Sequence, residues 1–359
     1  MAEKKVRNSN LEILRILSMF MIILAHYGGH GGIIDQSETA SGHILGLFMK
    51  TGGKLGVICF VLISTYFMCE QKFKSESLLK TYLQTVFYAV LDFIFLLIAG
   101  EAVGIGTGIK SLFTVFLGDY WFVTAYIGMY LFQPLLKKCT DTLDSRSSFT
   151  VIAVMTAVFI IIPFALGNVP FLTNNLVYFC YLFFVGNHLR KYTVKPNFLS
   201  RYPMPVFIIC ASAIPLLTFL MEQILKSHPA VVNRYHFILY DLNSPLMLIA
   251  GIALFLYFKQ RQPTAIRFVN QFARNMFGVY LLHDNVYFRS FLWHKLLRID
   301  SVYDKNIAII IAHALICVCI IMFCAALIEI IRRFIENKLM HSALIQRLCL
   351  FWDAHYSTL

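Results

Sequence analysis

Runs of about twenty apolar residues recur along this chain, and few folds accommodate them. Ten qualify: 10–28, 53–69, 79–99, 120–136, 149–167, 174–189, 204–224, 237–258, 274–294 and 306–331. Such a run crosses a bilayer as a helix, because a helix satisfies its backbone hydrogen bonds internally. The fold class is therefore all-α and polytopic, with about ten transmembrane helices. Composition agrees: 58% of the 359 residues are hydrophobic and only 14% are charged, where a soluble domain carries about 25% charge. The second and ninth runs are the least regular. Residues 41–52 (SGHILGLFMKTG) read as a half-helix leading into the second run. With Lys50 inside it and Lys54 just after, this stretch lines a cavity or lies at the interface.

The charges sit between the runs and alternate in density. One set of loops carries Lys4, Lys5, Arg7, Lys72, Lys74, Lys80, Lys137, Lys138, Arg146, Arg190, Lys191, Lys195 and Arg201, followed by Lys259, Arg261, Arg267, Arg274, Arg332, Arg333, Lys338 and Arg347. The opposite set carries Lys110, Lys226, Arg234, Lys295, Arg298 and Lys305. By the positive-inside rule the first set is cytoplasmic, and both termini with it. The net charge of +12 is thus a topology signal and not a nucleic-acid footprint. The basic start MAEKKVRNSN resembles a signal peptide, but no small-residue cleavage site follows, so the first run reads as a retained helix. Residues 1–359 read as one membrane domain, with a bundle over about 10–335 and a short cytoplasmic tail at 336–359. Most of the nine cysteines lie inside the runs without a CxxC pair, which is the pattern of apolar packing.

Arg15 and His26 lie eleven residues apart within the first run. Eleven residues turn a helix to about 20° past three full turns, so the pair shares one face, about 16 Å apart along the axis. An arginine deep in a membrane helix costs about 2.5–3.5 kcal/mol, and such residues face cavities, pathways or reactions. Glu12, three residues before Arg15, is placed to pair with it. The plain alternatives are an arginine snorkelling to the headgroups and an interfacial histidine at a helix end.

The segment NLEILRILSMFMIILAHYGGHGG resembles the first span of acyltransferase family 3, multi-span bacterial O-acyltransferases that modify surface glycans. The family's signature there is a basic residue, ten residues and a histidine, which Arg15 and His26 match. Further segments agree in order. GVICFVLISTYFM resembles the second span, with Ser64 and Tyr66 in place and Thr65 where glycine is usual. DYWFVTAYIGMYLFQP resembles the Trp-Phe…Tyr…Pro span, and FGVYLLHDN the late Tyr-Leu-x-His segment. The resemblance runs from about residue 8 to 335.

It implies a bacterial inner-membrane enzyme that takes an acyl group, most often acetyl, from cytoplasmic acyl-coenzyme A. The acceptor is a hydroxyl of an exopolysaccharide, O-antigen-like or lipid-linked glycan. No permanently bound cofactor is expected; acetyl-CoA is a substrate, and the remaining partners are membrane lipids. A hydroxyl is a poor nucleophile at neutral pH, so a base is needed, and His26 suits that role. An acyl-His26 intermediate is the other route. Arg15 is expected to clamp phosphate or polarise the thioester. Lys72 and Lys74, in QKFK, stand where the family often has Arg-x-Arg and are candidates for the coenzyme A phosphates; positive-inside bias alone also accounts for them.

Other polar residues keep two readings. Adjacent His283 and Asp284 point about 100° apart, and one of them is expected to meet His26 across the bundle, a carboxylate orienting the imidazole. Asp241 either caps the eighth span or binds sugar, with the cap favoured. Trp121, Tyr126 and Tyr130 suit either sugar stacking or an aromatic belt, and Ser64 belongs to the second family-like segment. Asp92 and His313 lack an evident partner. His26, His30 and His43, spaced by four and thirteen in a glycine-rich loop, are weak grounds for a metal, and none is expected. The rival class is a transporter or flippase of a lipid-linked glycan, which would use the same intramembrane Arg and His.

Overall fold

The computed structural model describes residues 8–167, 169–192 and 196–356. Lys4, Lys5, Arg7 and Lys195 of the cytoplasmic set lie outside these residues. The main helices are α1 (Ser9–Gly29), α2 (Ala40–Met68), α3 (Ser75–Ile98), α4 (Trp121–Leu131), α5 (Ser145–Leu166) and α6 (Asn175–Lys191). They continue with α7 (Pro203–Ile224), α8 (Pro229–Tyr240), α9 (Pro245–Lys259), α10 (Met276–His283), α11 (Ile307–Met340) and α12 (Ala343–Tyr356). No strand occurs among the described residues.

Seven helical segments among the described residues are long and apolar enough to cross a membrane. The expected fourth, sixth and ninth runs form the shorter helices α4, α6 and α10. The ninth differs most. Helix α10 stops at His283, and Asn285 Oδ1 then accepts the backbone N–H of Tyr287 at 2.9 Å, which turns the chain. The run expected to reach residue 294 is thus broken after His283 and resumes as a π-helical turn over Phe291–Leu296, because hydropathy records burial and says nothing of where a side-chain oxygen captures the backbone. The expected half-helix at 41–52 is also absent. It is the first part of α2, one continuous helix of 29 residues, and Lys50 and Lys54 are carried by its middle. The eighth run is instead divided, with α8 and α9 separated by residues 241–244.

Helices α1 and α2 form the largest helix–helix contact in the molecule. Gly52 and Gly56 explain it. A Cβ on Gly52 would lie 2.8 Å from the Met21 carbonyl oxygen, and one on Gly56 would lie 2.6 Å from that of Ser18. Their spacing of four is the small-xxx-small pattern that lets two backbones meet without side chains between them. The start of α1 is fastened by Ser9 N–H to Thr264 O (2.8 Å) and Asn10 Nδ2 to Gln262 O (2.8 Å). Helix α1 is therefore fixed at its start and at its middle, and with it the placement of Arg15 and His26.

Helix α11 runs past the expected end at 331 to Met340. Its extension is tolerated because Glu329 is fully buried and paired with Arg332 (2.8 Å) and Arg333 (3.1 Å), and accepts hydrogen bonds from Gln84 and Tyr88 of α3. The opposite face shows Ile316, Ile320, Phe323, Leu327 and Ile330, a lipid-facing stripe. The tail is more structured than expected: α12 packs on the start of α3, where Asp353 accepts the Ser75 N–H at 2.7 Å.

Candidate active site

A cavity of about 450 Å³ opens where α1, α2, α4 and the end of α10 converge. Its volume falls in the range of small-molecule sites, about 300–1,000 Å³. His26, on the last full turn of α1, lines it with Asp284, the residue that ends α10. His26 Nδ1 lies 3.7 Å from Asp284 Oδ1, and His30 Nε2 lies 3.6 Å from the same oxygen. These separations are beyond hydrogen-bond range. His26 Nδ1 is buried and has no hydrogen-bond partner among the described residues.

The sequence expectation that one of His283 and Asp284 meets His26 is exceeded, since both do. The His283 ring lies 5.0 Å from that of His26, fully buried. Its Nδ1 bonds to the Val279 carbonyl at 2.6 Å, so Nδ1 carries the proton and Nε2 offers a lone pair. His283 is the last helical residue and Asp284 the cap beyond it (φ −112°, ψ 10°), so the two adjacent residues approach one ring from different directions.

Lys54 reaches the cavity from α2, its Nζ 4.1 Å from the centre of the Trp121 ring, and Lys50 stacks likewise on Tyr240 at 4.7 Å. Both lysines thus line a cavity, one of the two positions expected for them. Trp121 serves as a floor for a cation, which neither sequence reading of it included. Asp119, Tyr280 and Arg289 also line the cavity. Asp119 and Tyr280 belong to family-like segments and Arg289 to none, and their proximity is visible only in three dimensions.

Arg15 is elsewhere. Its Nε lies 3.3 Å from Glu12 Oε2, the expected pair, and its guanidinium sits 5.2 Å from the Phe60 ring centre. Between Arg15 and the cavity lies an apolar constriction walled by Met19, Ile22, Val57, Phe60, Phe122 and Tyr280. Ile22, Val57 and Tyr280 belong to both spaces. The Arg15 end and the His26 end are therefore separated by a narrow apolar neck.

The remaining expected residues separate from this centre. Tyr126 stacks on Phe122 and borders a small crevice with Tyr130. Ser64 donates to the Phe60 carbonyl at 3.0 Å. Lys72 and Lys74 are exposed in the α2–α3 connection, outside the cavity. Asp241 does not cap α9. The capping position is Ser244, and Asp241 instead accepts the Leu242 N–H at 2.5 Å within the α8–α9 turn. His43 leaves the other histidines and bonds to Glu222 at 2.7 Å. Asp92 lies beside Tyr120 and Asn285, and His313 bonds to the Tyr27 hydroxyl at 3.0 Å. Thr65, standing where glycine is usual, is accommodated by a glycine on the facing helix. A Cβ on Gly186 of α6 would lie 2.2 Å from Thr65 Oγ1.

Fold and site together describe an all-helical protein with several membrane-crossing helices and a half-buried imidazole beside a buried carboxylate in a cavity. A scan against protein families matches the acyltransferase domain over residues 8–330, and the chain belongs to acyltransferase family 3. No curated protein and no solved structure matches it. The protein is a membrane acyltransferase.

Proposed function

We propose that this chain is an O-acyltransferase that moves an acyl group, most simply acetyl, from cytoplasmic acyl-coenzyme A to a hydroxyl of a cell-surface or lipid-linked glycan. The observation that carries the reading is the meeting of His26 with Asp284 in a cavity that an apolar neck separates from Arg15. Both termini are assigned to the cytoplasm on the loop charges, and the bacterial inner membrane on the family.

In this reading the diphosphate end of the donor lies toward Arg15, whose guanidinium matches phosphate geometry. The pantetheine arm threads the neck, and the side chains of Phe60 and Phe122 turn aside to admit it. Lys72 and Lys74 add positive potential near the donor's approach. The thioester carbonyl then stands in the cavity.

The acceptor hydroxyl attacks that carbonyl carbon while His26 Nε2 takes its proton. Asp284 accepts the Nδ1–H and stabilises the imidazolium, the role of the carboxylate in hydrolytic triads. The pair must close by some tenths of an ångström, as catalytic hydrogen bonds commonly do when substrate binds. Lys54 is positioned to stabilise the oxyanion of the tetrahedral intermediate. Collapse breaks the C–S bond, the ester C–O bond remains, and the imidazolium returns its proton to the departing thiolate.

The test uses a host that makes the acceptor glycan. His26→Ala is expected to remove O-acyl groups while glycan export continues. If export stops and unmodified glycan accumulates inside, the transporter reading holds instead. Binding of acetyl-CoA to the purified protein, weakened by Arg15→Ala, is the matching test of the donor.

A further inference from the structure

His26, His30 and Asp284 each offer one ligand atom, and the three atoms lie within 4.8 Å of one another. The two shortest separations, 3.7 Å and 3.6 Å, are too long for hydrogen bonds. They are close to another distance. A tetrahedral zinc ion with nitrogen and oxygen ligands at about 2.0–2.2 Å holds those ligands about 3.4 Å apart. Two of the separations are therefore close to those of ligands around a shared ion, and all three close on it, the widest by at most about 1.4 Å.

The local backbone favours this set. His26 and His30 are four residues apart, and His30, just beyond α1, keeps right-handed helical angles (φ −67°, ψ −29°). Both imidazoles thus rise from one face, the arrangement that i, i+4 histidines use to bind zinc. Asp284 supplies the charge from the break after α10, and is itself 5% exposed. The buried Nδ1 of His26 has no other partner among the described residues. The His30 side chain is 36% exposed, so an ion has a way in. Two imidazoles and one carboxylate leave a coordination position open, and this donor set suits zinc and its neighbours over calcium or magnesium. Lys54 and Arg289 line the same cavity and oppose a cation.

We propose that His26, His30 and Asp284 form a binding site for a divalent transition-metal ion of the zinc class, and that this ion switches the acyltransferase off. The second half rests on the base role of His26 given above; the first does not. A metal on Nδ1 of a neutral imidazole leaves the ring proton on Nε2. Neither nitrogen then has a lone pair for the acceptor's proton, and Asp284 is withdrawn from its orienting task. The metal-bound and base-competent states exclude each other at one ring.

The test titrates the purified full-length protein with Co²⁺, whose visible absorption reports coordination, and then displaces it with Zn²⁺. One equivalent is expected to bind, and His30→Ala to weaken binding by at least about tenfold. Lys54→Met is expected to tighten it. Acyl transfer is followed in parallel, each variant normalised to its own metal-free rate: Zn²⁺ inhibits the parent and loses its effect on His30→Ala. Absence of a stoichiometric cobalt spectrum, or one unchanged by His30→Ala, overturns the site. Binding with an unaltered or raised rate overturns the inhibition. Should the preparation transfer no acyl group under any condition, the function proposed above fails, while the cobalt titration still decides the site.

Discussion

Asp284→Asn removes one charge from beside His26 and leaves the shape of the side chain nearly unchanged. In the proposed reaction His26 becomes an imidazolium in the transition state, and Asp284 faces that charge at 3.7 Å, with a side chain only 6% exposed. At this separation two unit charges attract by about 4.5 kcal/mol for an effective dielectric constant of about 20. At about 1.36 kcal/mol per tenfold, the loss corresponds to about three powers of ten in the chemical step. That value is an upper bound, because an amide oxygen still accepts a hydrogen bond and retains part of the orientation. The decisive assay is transfer of labelled acetyl groups from acetyl-CoA in membrane vesicles containing the acceptor, with expression and monodispersity in detergent checked for each variant. The rate should fall sharply while donor binding is retained, because Asp284 lies across the apolar neck from Arg15. A variant within about tenfold of the parent would show that no imidazolium charge develops beside this carboxylate, and the base mechanism would fall.

Three further outcomes follow from single contacts. Arg15→Lys keeps the charge but loses the planar fork, so the apparent KM for acetyl-CoA should rise more than kcat falls; equal loss in both would place Arg15 at the chemistry instead. Gly186→Ala drives a methyl group against Thr65 Oγ1 and should lower the Tm in detergent, and adding Thr65→Gly should restore it; independent effects of the two changes would refute the packing argument. Glu329→Gln removes a fully buried carboxylate from Arg332, which keeps Glu336, and from Arg333, and should lower the unfolding free energy by less than the about 3–5 kcal/mol lost when a buried charge is left with no partner. An unchanged unfolding midpoint would mean that water reaches this network.

Much of the architecture was legible because hydropathy measures the one property a bilayer demands. The long runs became α1, α3, α5, α7 and α11, with boundaries shifted by at most four residues except at the end of α11, which runs nine residues further. What misled was apolar sequence that does not continue as helix. Residues 274–294 are rich in apolar side chains, many of them buried, yet the helix stops at His283. The reverse error occurred at residues 41–52, where lysine and glycine suggested a break. There the glycines serve close packing against α1 and the lysines find aromatic rings, so the helix of α2 continues.

The first helix carried its own message in the sequence. Arg15, Glu12 and His26 belong to one element, and helical periodicity alone places them on its surface and sets the distance between them. The resemblance to acyltransferase family 3 also rested on short segments of this kind. Helical periodicity stops at the end of each helix, however. The partners of His26 come from the far end of the chain, through a chain reversal stabilised by Asn285 and a contact between helices permitted by Gly52 and Gly56. Local rules describe how each helix presents its residues. Only packing between helices decides that Asp284, His283 and Lys54 converge on one imidazole, and that His43 is drawn away to Glu222.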